Sequence, residues 1–120
     1  MATFVIAEAG VNHNGDAARA LELVDAAADA DADAVKFQTF KAARLVSGNA
    51  PKAGYALQTT DAGETQFEMI RKLELDEAAH RAIIERCQMR GIEFMSTPFD
   101  AVSATWLAEA FDVKRLKIPS

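Results

Sequence analysis

Cysteine is almost absent from this 120-residue sequence: Cys87 is the single example, so no internal disulfide is possible. No Cys and His residues stand at the spacing of a structural zinc site. No apolar run approaches the ~20 residues of a membrane-spanning helix, and the first residues lack the basic segment that opens a signal peptide. Acidic residues outnumber basic ones by 18 to 13, which argues against nucleic acid or an anionic membrane as the main partner. We therefore expect a soluble, cytoplasmic protein.

The remaining composition, 50% hydrophobic and 26% charged, is typical of one globular domain. Helical patterns open at the N-cap candidates Asp16, Asp76 and Asp100, and a shorter one covers about 66–73. Strand alternating with helix indicates βα units and a parallel sheet, hence an α/β fold. The four short hydrophobic runs that predict the strands are 4–9, 34–38, 92–96 and 115–118.

One segment, about 40–65, interrupts this alternation with several glycines, a proline and little periodicity. It is too long for an ordinary connection between a strand and a helix. In a parallel α/β protein, a loop that follows a strand lies at the end of the sheet where ligands bind. Two interpretations of this segment remain: a lid that contacts the substrate, and an insertion that is merely mobile.

Polar residues recur at the strand ends with the period of two that places them on one face. Because strand side chains alternate between faces, Glu8, Lys36, Gln38, Thr97 and Lys117 point to a common interior if the apolar faces meet the helices. One interpretation is a buried ion-pair network between Glu8 and Lys36 or Lys117. The other is an anionic ligand, because two lysines, an amide and a hydroxyl exceed what one carboxylate can satisfy.

The other candidate residues carry weaker signals. The turn at 10–16 contains two glycines but no P-loop or dinucleotide arrangement, so a phosphate cradle there is a weak hypothesis. His13 is interpreted as a hydrogen-bonding residue that fixes this turn, with a ligand role as the alternative. We expect His80 to be solvated on a helix surface and Cys87 to lie in the core. Phe99, just past a strand end, is expected to wall a pocket or cap the interior.

Six stretches, taken together and in order, resemble the bacterial N-acetylneuraminate (sialic acid) synthase family, which includes the legionaminic acid synthases. The likeness runs across the whole chain. The stretches are IAEAGVNHNGD at 6–16, ADAVKFQTFKA at 32–42, APKAGY at 50–55, QFEMIRKLEL at 66–75, GIEFMSTPFD at 91–100 and LKIPS at 116–120.

The resemblance implies a TIM-type (β/α)8 barrel, of which residues 1–120 cover about the first four strands, with the active site at their carboxyl ends. It also implies an activity, the condensation of phosphoenolpyruvate with an N-acylated hexosamine to form a nonulosonic acid and phosphate. The acceptor is expected to be N-acetylmannosamine or a 2,4-diacetamido-trideoxy hexose. A divalent metal, Mn²⁺ or Mg²⁺, is expected as cofactor, with its ligands mainly outside this chain. We expect the full-length protein to be a homodimer.

Carried over by motif, Glu8 in the AEAG stretch resembles the family's acidic active-site residue. Lys36 and Gln38 in VKFQT match the strand on the phosphoenolpyruvate side. These three are among the five residues that the period of two places on one face.

The remaining matches extend the same expected site. Thr97 and Phe99 in STPF match a pocket edge, with Thr97 as a contact to phosphoenolpyruvate. Lys117 and Ser120 in LKIPS match a strand end that binds phosphate or carboxylate. Asp61 falls near a loop position that touches the sugar in some members of the family.

Two departures from the family pattern stand out. Asp31 replaces a glycine at a helix end, where a positive φ is expected and aspartate is tolerated at some cost. The sequence also stops at Ser120, where the family continues through the rest of the barrel, so this piece alone is expected to be inactive. Two alternatives remain: a non-catalytic half-barrel that self-associates through its open sheet edges, and another phosphoenolpyruvate-dependent 3-deoxy-sugar-acid synthase.

Overall fold

The computed structural model describes residues 3–47 and 66–119. In this part of the chain three strands and five helices alternate much as the sequence predicts. The strands are β1 (Ile6–Gly10), β2 (Ala34–Thr39) and β3 (Glu93–Pro98). The helices are α1 (Ala17–Asp29), α2 (Ala42–Ser47), α3 (Gln66–Lys72), α4 (Glu77–Arg90) and α5 (Ala101–Phe111).

The three strands form a parallel sheet in the order β1-β2-β3. The predicted fourth strand at 115–118 is present only as a bridge between Ser96 and Leu116, supported by a 3.1 Å hydrogen bond from the Lys117 N–H to the Ser96 carbonyl. The prediction of a full strand is wrong here for a physical reason. Within the described ranges no strand pairs with the other edge of segment 115–118. Backbone pairing with β3 alone therefore holds this segment in an extended conformation.

The three long helices begin where their N-caps predict. The carboxylates of Asp16, Asp76 and Asp100 each accept a hydrogen bond from a backbone N–H in the first turn, at 2.7 to 2.9 Å. Helix α4 ends at Gly91, whose φ of 69° gives the left-handed C-terminal turn. Asp31 has a φ of 62°, as expected for the residue that stands where the family has glycine.

Helix α2 lies inside the segment that the sequence analysis treats as an irregular loop; residues 48–65 of that segment are outside the described part. The N-terminus of α2 is capped by a residue that is distant in the sequence. The Ala42 N–H donates to the Glu74 carboxylate at 3.0 Å, and Lys41 pairs with the same carboxylate at 3.2 Å. Arg44 holds the helix to the start of α5 through Asp100, at 2.9 Å. Contacts 32 and 56 residues away therefore fix this helix.

The hydrophobic core lies between the sheet and the long helices. Phe37 of β2 is fully buried there among Val24, Ile83 and Leu107, and Cys87 is buried in the same layer, as predicted. Burying one such side chain contributes about 1.5–3 kcal/mol. The helices of the described residues are all too short or too polar to cross a membrane.

The opposite face of the sheet is concave. The Arg115 guanidinium lies 4.3 Å from the Phe4 ring centroid and its Nε is 3.4 Å from the Glu93 carboxylate. Phe4 leads into β1, whereas Arg115 lies beyond β3; in a flat sheet these positions would be roughly 14 Å apart. A contact across this span is the one expected of a sheet that curves toward this face, which we call the trough.

Candidate functional site at the strand ends

An ion pair crosses the concave face between the first two strands. Glu8 of β1 lies in register with Lys36 of β2, and the Lys36 Nζ is 2.5 Å from Glu8 Oε1. The lysine side chain is 15% exposed and the glutamate side chain 49%. The pairing of Glu8 with Lys36 is thus confirmed, whereas the buried network of that interpretation is not, because the Glu8 side chain is half exposed. Because the carboxylate remains half open to the trough, the pair is also accessible to a ligand.

A third side chain, that of Gln38, approaches this ion pair over Gly10, which has no side chain of its own. The ladder between β1 and β2 shifts register between Glu8 and Gly10, and Gly10 has a φ of 56°. A Cβ atom at Gly10 would lie 3.2 Å from Glu8 Oε2 and 3.8 Å from Gln38 Nε2. The carboxylate and the amide therefore converge over a position that has no side chain, and the shape of the site depends on this glycine.

The next pair along the trough consists of Gln38 and Thr97. They lie in register on β2 and β3, one step beyond Lys36 and Met95 toward the carboxyl ends. Thr97 is 6% exposed and Met95 equally buried. An amide and a hydroxyl thus stand beside the lysine, with a thioether as an apolar wall. Met95 lies on the face that the period of two predicts, but because its side chain is apolar it was not a candidate site residue.

The remaining predicted residues are less gathered. Lys117 is exposed on the segment beside β3, and among residues 3–47 and 66–119 its side chain forms no ion pair. Phe99 is 38% exposed and its ring centroid is 6.1 Å from that of Phe40, just past the strand ends. Asp61 and Ser120 lie outside the described residues.

His13 fixes the turn after β1. It is fully buried, and its Nδ1 accepts a 2.8 Å hydrogen bond from the Gly15 N–H, which confirms the turn-fixing interpretation. Nε2 therefore carries the ring proton, and no hydrogen-bond partner for it lies among residues 3–47 and 66–119. Burial lowers the pKa of His13, nearby His80 lowers it further, and Asp16 acts in the opposite direction. The ring remains neutral at pH 7 and points to a structural role.

The prediction that His80 is solvated is wrong. The side chain is 1% exposed, because α4 turns it toward the sheet, where its Nε2 lies 2.9 Å from Thr39 Oγ1 and Thr39 Oγ1 lies 2.6 Å from Ser96 Oγ. Burial lowers the pKa of His80. This buried cluster on the helix side of the sheet was missed by the sequence analysis.

The described residues do not form a metal site. Within the two described ranges, no group of three or more His, Cys, Asp or Glu side chains could hold a metal ion. On the trough face, the Glu8 carboxylate already has the Lys36 ammonium against it and the Glu93 carboxylate has the Arg115 guanidinium, and both positive charges would repel a cation. The expected divalent metal stays a prediction.

Comparison with known proteins places these residues in context. A model described as the NeuB family matches residues 23–120. The chain is 53% identical over 120 residues to the N,N'-diacetyllegionaminic acid synthase of Legionella pneumophila and 51% identical over 118 residues to that of Campylobacter jejuni. It covers 33% and 35% of those proteins, which in turn match 100% and 98% of this chain. The chain thus spans about a third of the length of these relatives.

A solved structure agrees with the fold. The crystal structure of the N-acetylneuraminic acid (sialic acid) synthetase of Leptospira borgpetersenii, in complex with citrate, matches 98% of this chain with a TM-score of 0.75 and 33% identity. The match covers 36% of that protein. The parallel sheet and its helices therefore follow the arrangement found in this relative.

Proposed function

The chain belongs to the NeuB family, and we propose that it supplies the phosphoenolpyruvate-binding part of a synthase that makes a nonulosonic acid. The overall reaction joins phosphoenolpyruvate, an N-acylated hexosamine and water into the sugar acid and phosphate. The observation that carries this proposal is the convergence of Glu8 and Gln38 over Gly10, with Lys36 paired to Glu8, on the concave face of the sheet. The trough is proposed to be one arc of a TIM-type barrel.

Phosphoenolpyruvate carries a carboxylate and a phosphate, and this part of the trough offers matching donors. The Lys36 ammonium, the Gln38 amide and the Thr97 hydroxyl are proposed to bind one end of the molecule. Lys117 and Ser120 are proposed to bind the other end. These groups would stabilise the charge on the oxygens of the departing phosphate without having to reorganise.

The bond changes follow from the proposed substrates. The C3 carbon of the enol attacks the aldehyde carbon of the open-chain sugar, whose oxygen takes up a proton to become a hydroxyl group. Water adds to the resulting cationic C2 carbon and loses a proton. The C2–oxygen bond to phosphate then breaks, phosphate leaves with the bonding electrons, and the new C2 hydroxyl loses its proton to become the keto group of the sugar acid. Glu8, the half-exposed carboxylate of the trough, is proposed as the group that orients the substrate or transfers a proton.

The acceptor sugar is proposed to be a 2,4-diacetamido-trideoxy hexose. Identity to two diacetyllegionaminic acid synthases is 53% and 51%, against 33% to the sialic acid synthetase of known structure. N-acetylmannosamine is the competing acceptor. A homodimer and a cytoplasmic location remain expectations for the whole protein.

The test uses the protein as its gene encodes it. Phosphate release from phosphoenolpyruvate is measured with each of the two sugars. Lys117→Met should raise the KM for phosphoenolpyruvate about tenfold, because a hydrogen bond to a charged group contributes about 1.5–3 kcal/mol. Lys114→Met, the same change at a 75% exposed lysine of the same segment, should leave KM unchanged. No phosphate release with either sugar would overturn the function, whereas equal KM values would overturn only the role of Lys117.

A non-catalytic, self-associating half-barrel is the second candidate. The observation in its favour is the start of the edge strand β1, where Phe4, Val5 and Ile6 are each more than 40% exposed. Sedimentation at increasing concentration separates the two. A catalytically silent protein that self-associates through this edge, and loses association on Val5→Lys, would favour the second candidate.

A further inference from the structure

A chain of buried hydrogen bonds lies on the helix side of the sheet, directly behind the trough. Ser96 Oγ is 2.6 Å from Thr39 Oγ1, which is 2.9 Å from His80 Nε2. His80 Nδ1 is 3.0 Å from the carbonyl oxygen of Asp76, the N-cap of α4. Thr39, His80 and Ser96 are 3%, 1% and 0% exposed. Leaving any one of these polar groups unpaired would cost about 1–3 kcal/mol. These hydrogen bonds therefore favour one arrangement of β2, β3 and α4.

The hydrogen bonds run in one direction. A carbonyl oxygen only accepts, so His80 Nδ1 carries the proton and donates to Asp76. Nε2 then accepts from the Thr39 hydroxyl, and Thr39 in turn accepts from the Ser96 hydroxyl. Both ring nitrogens of a neutral His80 are thereby hydrogen-bonded.

Aromatic rings and few charges surround the His80 ring. The Trp106 ring centroid is 4.9 Å away, and the rings of Phe111 and Phe94 lie at 6.1 and 6.3 Å. The charged groups nearby are Lys41, which lowers the pKa of His80, and the Asp76 carboxylate, which raises it. Arg81 lies beyond Phe111, with its guanidinium 5.1 Å from that ring.

The position of this chain connects it to the proposed site. Thr39 directly follows Gln38, and Ser96 directly precedes Thr97, so the two strand residues of this hydrogen-bond chain are each the neighbour of a trough residue on the other face. Gln38 and Thr97 lie in register across β2 and β3. The Thr39 carbonyl also accepts a 3.1 Å hydrogen bond from the Phe99 N–H, which ties the same strand ends together.

We infer that Thr39, His80 and Ser96 are positioning residues that hold Gln38 and Thr97 at the spacing needed to bind the anionic substrate. The inference rests on the proposed function for its kinetic readout. The three residues touch no substrate; they act through the backbone of the strands whose other face forms the trough.

The main variant is Thr39→Val, which removes the hydroxyl and keeps the branched shape. In the protein as its gene encodes it, the KM for phosphoenolpyruvate should rise about fivefold, the equivalent of one net hydrogen bond, and Thr39→Ser should restore it. Thr105→Val makes the same change on the exposed face of α5 and should leave KM unchanged. A purely structural role would lower the folded fraction, and thus the apparent kcat, without moving KM.

Coupling to Thr97 provides the second test. If Thr39 acts through the strand ends, Thr39→Val should raise KM much less in a Thr97→Ala background than in the wild type. Ser96→Ala breaks the chain at its other end and provides the same comparison if Thr39→Val does not fold. Wild-type KM in a folded Thr39→Val or Ser96→Ala variant would overturn the inference while leaving the function intact.

The hydrogen-bond chain is also tested without any reaction. Nitrogen-15 NMR of the histidine rings should show His80 as the Nδ1–H tautomer, and Thr39→Val should shift the Nε2 resonance. An Nε2–H tautomer would overturn the inference even in an active enzyme. A wild-type protein that releases no phosphate would instead contradict the proposed function, and the NMR result would still decide whether the chain exists.

Discussion

A methyl group added at Gly10 tests whether the position of the Glu8 carboxylate matters. Gly10→Ala introduces a Cβ atom 3.2 Å from Glu8 Oε2, a few tenths of an ångström too close, and 3.8 Å from Gln38 Nε2, an ordinary contact. The carboxylate must therefore move, and Lys36, 2.5 Å from its other oxygen, must move or lose the ion pair. The φ of 56° adds backbone strain of about 1–2 kcal/mol.

Gly91→Ala is the matched control. Gly91 has a φ of 69°, so alanine there carries similar backbone strain, but a Cβ atom would meet nothing within 4 Å. Gly91 also precedes β3, at the end of the sheet opposite the carboxyl ends of the strands that form the candidate site. The difference between the two variants isolates the contact with Glu8 from the cost of a positive φ.

We expect both variants to lose about 1–2 kcal/mol of unfolding free energy in urea. Only Gly10→Ala should reduce kcat/KM for phosphoenolpyruvate, by about tenfold, because small displacements of catalytic groups are costly; Gly91→Ala should remain within about twofold of wild type. Equal kcat/KM values for the two variants would show that the Glu8 carboxylate can move without consequence, and would refute the reasoning.

Three further predictions concern other parts of the fold. Gly15→Ala should cost at least about 2 kcal/mol more than Gly91→Ala in urea unfolding, because its Cβ would lie 1.8 Å from a backbone oxygen at the end of α3; equal losses would contradict this contact. Burial alone raises the pKa of Asp100, but hydrogen bonds from Ser103 and Arg44 outweigh it and hold the pKa below its usual value. Its stabilisation is therefore present above about pH 4 and is lost as pH falls. The deficit of Asp100→Ala, about 1 kcal/mol at pH 7, should shrink in acid unfolding, and a constant deficit would contradict it. Burial raises the pKa of the Cys87 thiol to about 12, so thiol reagents at pH 8 should label it only after unfolding; rapid labelling of the native protein would be the contrary result.

Local rules predicted the elements and one face of the sheet. The period of two placed Glu8 and Lys36 on the same face, and the parallel register brings them together because both strands keep that period up to this point. The N-cap residues Asp16, Asp76 and Asp100 each predicted the start of a helix, since capping uses atoms within three residues of one another.

Features that depend on distant partners escaped those rules. The bulge after Glu8 appears only in the pairing of β1 with β2, and it makes Gly10 the floor of the site. Helix α2 is capped by Glu74, 32 residues away, so nothing in its own sequence marks its first residue. The roles of the trough residues in binding stay predictions until the variants are measured.

His80 has a helical spacing that is consistent with the buried position that the structure shows. It stands three residues before Ile83 and seven before Cys87, so helical spacing admits it to the buried stripe of α4 as readily as Ala79. Its polarity favoured a solvated position, whereas Ser96 already stood on the strand face assigned to the core. A buried polar side chain requires a hydrogen-bonding partner. Ser96 on the core face of β3 and His80 on the core face of α4 are therefore candidates to form hydrogen bonds in the same buried cluster. Applied to this sequence, that requirement would have brought α4 onto the ends of β2 and β3 and located the positioning residues behind the trough.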